Sequence, residues 1–80
     1  MSNWKAVGVV AEGQSIQVGD LNVWDHRWAR KSDDPVELPH PAHPHQRHRM
    51  FIYEVSAGGK KVTFAAGELS ANVWGFYVPA

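Results

Sequence analysis

The sequence predicts an all-β fold: a small, five-stranded antiparallel barrel or half-barrel with one long loop rich in proline and histidine. Three observations carry this expectation. Residues 50–66 alternate in side-chain character on either side of a Gly58-Gly59 pair, as a hairpin requires. Valine, isoleucine and aromatic residues recur in short runs broken by glycine, with no apolar stripe at helical spacing. Four of the five prolines fall within residues 32–49, so the strands are interrupted there once.

Eighty residues make a single domain spanning 1–80, short enough that its core is marginal without a further staple. Cysteine is absent, which removes disulfides, thiolate metal sites and a cysteine nucleophile together. That usage fits a reducing cytoplasm, the expected location. Self-association, or a metal held by histidine and carboxylate, are the staples left.

Residues 4–11 (WKAVGVVA) form the first expected strand, closed by the turn-forming set at 12–15. Alternation resumes at Ile16-Gln17-Val18, and Gly19-Asp20 marks a tight turn or a bulge. Residues 21–30 (LNVWDHRWAR) read as one long strand, with Trp24, His26 and Trp28 on one face and Val23, Asp25 and Arg27 on the other. Residues 32–49 follow as an extended loop, longer than a compact domain usually carries.

The last third is the clearest. Folding at Gly58-Gly59 sets Val55 opposite Val62, Tyr53 opposite Phe64 and Phe51 opposite Ala66. A looser turn over 67–72 then leads into residues 73–78, with Ala66 expected opposite Val73, Phe64 opposite Gly75 and Val62 opposite Tyr77. One face thus collects Phe51, Tyr53, Val55, Val62, Phe64, Val73 and Tyr77 as core. The other face carries Met50, Ile52, Glu54, Thr63, Ala65, Trp74, Phe76 and Val78, too apolar for a solvated sheet. Either the N-terminal strands or a second copy of the chain is expected to cover it.

Chemistry concentrates in two places. His40, His43, His45 and His48 lie in PHPAHPHQRH, and neutral imidazole is the commonest transition-metal ligand. A divalent metal held by these four is one functional reading, with a small metal-dependent enzyme as its extension. No cysteine or well-spaced carboxylate completes the set. The segment Trp24-Asp25-His26-Arg27-Trp28, with Trp74 and Phe76, is the other candidate: rings that could contact a ligand or partner.

Single-stranded nucleic acid stacked on exposed tryptophans is a third reading. Its charge support is thin: Arg27, Arg30, Lys31, Arg47 and Arg49 are offset by Asp33, Asp34 and Glu37, and the formal net charge is zero. No apolar run reaches membrane-spanning length, and the N-terminal stretch is too interrupted for a leader, so no membrane partner is expected. Phosphate-loop spacing and a nucleophile elbow are missing, and Asp25 and His26 would point to opposite faces of a strand. The reading that results is a non-enzymatic β module that binds a partner and self-associates, with no resident cofactor.

Overall fold

The computed structural model describes residues 3–80, and every regular element in it except one short 3-10 turn is a strand. The strands are β1 (Trp4–Ala11), β2 (Gln17–Val18), β3 (Leu21–Asn22), β4 (Ala29–Arg30), β5 (Val36–Pro39), β6 (Arg47–Ala57), β7 (Lys60–Ser70) and β8 (Val73–Pro79). The main sheet runs β1-β8-β7-β6-β4, with β5 also paired to β6, and β2 and β3 form a separate ribbon. All pairs are antiparallel. The sheet is open, with β1 and β4 at its ends, so of the expected barrel or half-barrel the closed form is not present. The longest dimension, 38 Å, is set by the eleven-residue strands β6 and β7, which span about 37 Å at ~3.4 Å per residue.

The β6–β7 hairpin has the expected register: Val55 pairs with Val62, Tyr53 with Phe64 and Phe51 with Ala66. Gly58 and Gly59 take φ of 57° and 78°, the left-handed pair that a two-residue turn between right-twisted strands requires. The β7–β8 register differs from expectation. Ala66 pairs with Phe76, Gly67 with Gly75 and Glu68 with Trp74. The cause is local: β7 runs on to Ser70, a bulge falls at Leu69, and the turn is the tight pair Ala71-Asn72, with Asn72 at φ 62°. Because strand faces alternate, this odd-numbered shift exchanges the faces of β8.

Two buried clusters follow from that exchange. The first holds Ile16, Val18, Val23, Val55, Phe64, Ala66 and Phe76, with Tyr53, Val62, Trp74 and Val78 packed against it. Trp74, Phe76 and Val78 therefore join Phe64 rather than opposing it, and it is Tyr77 that faces the other way. The second cluster holds Leu38, Met50, Ala65 and Tyr77, with Trp4, Val36 and Leu69 around it.

Both faces are covered from within the chain. The β2–β3 ribbon and the residues that follow it close the first, bringing Ile16, Val18 and Val23 onto the sheet. The β5–β6 hairpin brings Leu38 and Met50 against the second. Its approach is close at Gly67, where a Cβ would stand 2.6 Å from the Arg49 carbonyl oxygen and 2.6 Å from Met50 Sδ. Only glycine fits there.

Two further expectations are corrected. Residues 21–30 are not one strand: β3 ends at Asn22, a 3-10 turn takes Val23–Asp25, and β4 resumes at Ala29. Residues 32–49 are not wholly loop, since β5 pairs with β6 from Val36↔Met50 to Pro39↔Arg47. The irregular part shrinks to residues 32–35 and 40–46.

Candidate functional site

Around Trp28 the aromatic candidates form a packed unit. Its ring centroid lies 5.2 Å from Trp24, 5.1 Å from Tyr53, 5.2 Å from Phe64, 5.8 Å from Trp74 and 5.7 Å from Phe76. The contacts to Phe64, Trp74 and Phe76 are edge-on, with interplanar angles of 84–87°, the arrangement that ring quadrupoles favour. Trp24 meets Trp74 and Phe76 in the same way.

The 3-10 turn is what places Trp24 and Trp28 side by side. The Val23 carbonyl accepts from the His26 amide at 3.2 Å and from Trp28 Nε1 at 2.7 Å, so one buried oxygen fixes both the turn and the second ring. Upstream, the Asn22 side chain accepts from the Ile16 amide and ties the turn to β2. Trp74 Nε1 donates to Glu12 Oε1 at 3.0 Å. Trp24 Nε1 is buried without a hydrogen-bond partner.

These bonds and contacts engage the rings with one another. Phe76 is wholly buried, and Trp24, Trp28 and Trp74 are half-buried. His26 is half-buried beyond the turn, with no ring contact to the tryptophans among the described residues. The unit is a layer of half-buried rings packed against the first core cluster.

The histidine candidates separate. His40 lies 4.9 Å from His43 and 5.6 Å from His48, centroid to centroid, while His45 is exposed and outside this stack. The loop is folded on itself by three backbone bonds: the His40 amide to the Gln46 carbonyl, the His43 amide to the His40 carbonyl and the Gln46 amide to the His43 carbonyl. His48 sits on β6 opposite Leu38, and its Nε2 is buried without a hydrogen-bond partner. Burial first, then the neighbouring His43 and His48, hold the His40 pKa below the ordinary imidazole value.

Among the described residues no group of three histidine, cysteine, aspartate or glutamate side chains is arranged to hold a metal ion. The hydrogen bonding gives a chemical reason at His40. Its Nδ1 accepts from the Ala42 amide at 3.0 Å, so a neutral ring carries its proton on Nε2 and presents no free lone pair to a metal.

Sequence reasoning passed over the edge of the sheet. β1 stands at the end of the main sheet, paired with β8. Val7 and Val9 on this strand, 39% and 41% exposed, are the exposed large hydrophobics of the described chain. Val7 is the extra residue of a bulge between Ala6 and Gly8. The signal was present in the sequence as a valine-rich run carrying one lysine and no proline.

A shallow cleft of about 470 Å³ lies between the start of β1 and the β5–β6 hairpin, lined by Trp4, Leu38, Glu37 and Arg47 among others. No helix among the described residues is long and apolar enough to cross a membrane. Comparison with known protein families, curated proteins and solved structures finds no match for this chain.

Proposed function

We propose that the chain is a non-enzymatic β interaction module that pairs with a second copy of itself along β1. The observation that supports this reading best is the character of that strand: eight residues at the end of the main sheet, carrying the exposed Val7 and Val9. A sheet edge of this kind offers a template for another strand, because its outward amides and carbonyls want partners.

Charge favours a second copy as the occupant. Lys5 lies near one end of β1 and Glu12 just beyond the other, so an antiparallel two-fold pairing sets the lysine of each copy toward the glutamate of its mate. Zero formal net charge removes long-range repulsion between copies. Trp74, paired across from Val10 and bonded to Glu12, flanks this edge and brings the tryptophan rim beside it. The Val7 bulge bends the strand and limits the paired length, which fits a reversible dimer rather than a fibre.

Sedimentation velocity from low to high micromolar concentration tests this. A monomer–dimer equilibrium that shifts to monomer in Val9→Lys is expected. A strict monomer at high micromolar concentration, or a dimer indifferent to Val9→Lys, overturns it.

A further inference from the structure

We propose that residues 40–46 form a proton-responsive latch, closed while His40 is neutral and released when it takes a second ring proton. The hydrogen bond from the Ala42 amide to His40 Nδ1, 3.0 Å long, is what makes the loop sensitive. An imidazolium carries hydrogen on both nitrogens, so a protonated His40 would face the Ala42 donor with a donor of its own. The acceptor is lost and the contact turns repulsive.

The surroundings work in the same direction. His43 and His48 stand within 5.6 Å of His40, centroid to centroid, close enough for positive charge there to disfavour a second proton on His40. His48 Nε2, beside the loop, is buried without a hydrogen-bond partner. The charged and titratable groups packed around the loop offer no relief. Glu37 on β5 lies opposite Arg49, Arg47 lies opposite Pro39, and from β8 Tyr77 reaches the Pro39 carbonyl. No ion pair joins a carboxylate to these imidazoles among the described residues, the Lys31–Glu54 pair being elsewhere.

The backbone bonds at His40, His43 and Gln46 close the loop between β5 and β6. Losing the Ala42 bond therefore weakens the closure of these seven residues, leaving the backbone bonds to hold them, without requiring the β6–β7–β8 sheet to open. Because the folded environment disfavours the His40 imidazolium, the closed loop is fully stabilised above pH 6.5, the ordinary imidazole value. That stabilisation is lost as pH falls through the lower value of His40 in the folded chain.

Long-range nitrogen–proton NMR spectra of the histidine rings, with amide exchange on the intact chain between about pH 8 and pH 5, test the latch. The expected result has three parts. His40 is the Nε2–H tautomer at neutral pH. Its titration moves the Ala42 amide resonance in step. Protection of the His43 and Gln46 amides falls on the order of tenfold across that titration, while Val55 and Phe64 stay protected. An Nδ1–H tautomer, or loop amides indifferent to His40 protonation, overturns the proposal. The variant His43→Gln removes one neighbouring charge from an exposed position and should move the His40 midpoint up toward the ordinary value; an unmoved midpoint contradicts it.

Discussion

The Tyr77 hydroxyl donates to the Pro39 carbonyl at 2.7 Å, fastening the last strand of the sheet to the base of the histidine loop. These residues are 38 positions apart in sequence, and the bond holds β5 over the second core cluster. Tyr77→Phe keeps the ring and strips the bond, leaving a part-buried carbonyl without its donor. A loss of about 1–2 kcal/mol in urea unfolding is expected. Burial also raises the Tyr77 pKa above 10.0, so this group stabilises the fold below pH 10 and ceases to do so as pH rises through its folded value. Tyr77→Phe should abolish that alkaline step.

Trp28 separates a core from a contact surface. With its N–H on the Val23 carbonyl and its ring among Trp24, Tyr53, Phe64, Trp74 and Phe76, Trp28→Ala should cost about 3–5 kcal/mol. In a domain of this size that is a large share of the total, which runs at roughly 0.05–0.15 kcal/mol per residue. Denaturant unfolding followed by circular dichroism measures it. A variant within about 0.5 kcal/mol of the parent, the range of ordinary surface substitutions, would return Trp28 to the surface.

Gly67 reports the crossing of the β5–β6 hairpin over β7. A methyl there meets the Arg49 carbonyl oxygen, a backbone atom that cannot rotate away. Gly67→Ala is expected to destabilise by about 1–3 kcal/mol, lowering Tm by roughly 4–8 °C per kcal/mol at this chain length. Gly13→Ala serves as a comparison, since nothing lies within 4 Å of its added Cβ; its φ of 84° adds only backbone strain. A Tm for Gly67→Ala above that of Gly13→Ala would contradict this crossing.

For the histidines, the expectation concerns metal. With His40 Nδ1 already accepting from Ala42 and His45 outside the stack, tag-free protein should hold well under one equivalent of zinc or nickel. Its Tm should not respond to chelator. Stoichiometric metal, lost in His43→Ala or His48→Ala, would restore the metal-binding reading.

Legibility in the sequence followed the locality of the cause. The β6–β7 hairpin could be read because period-two alternation and a Gly-Gly turn agree about one register. The next hairpin could not: residues 67–72 look like loop, and nothing local reveals that β7 continues to Ser70 with a bulge at Leu69. That bulge decides which face Phe76 and Tyr77 take. Trp24 and Trp28 were expected on one face of a strand, and they do adjoin, but by way of a 3-10 turn held on the Val23 carbonyl. Among the histidines, spacing alone does not distinguish His45 from its neighbours; the backbone turns of residues 40–46 do. The β1 edge is legible only after the sheet order is known, since composition does not say which strand stands outermost.

Pairing along β1 is tested most directly by amide hydrogen exchange of the parent chain at low and high micromolar concentration. The β1 amides that do not bond to β8 should exchange more slowly at the higher concentration, while those of β6 and β7 remain unchanged. If the protein dimerises and the β1 amides exchange at the same rate in both samples, the contact lies elsewhere on the molecule and the edge-pairing account is wrong.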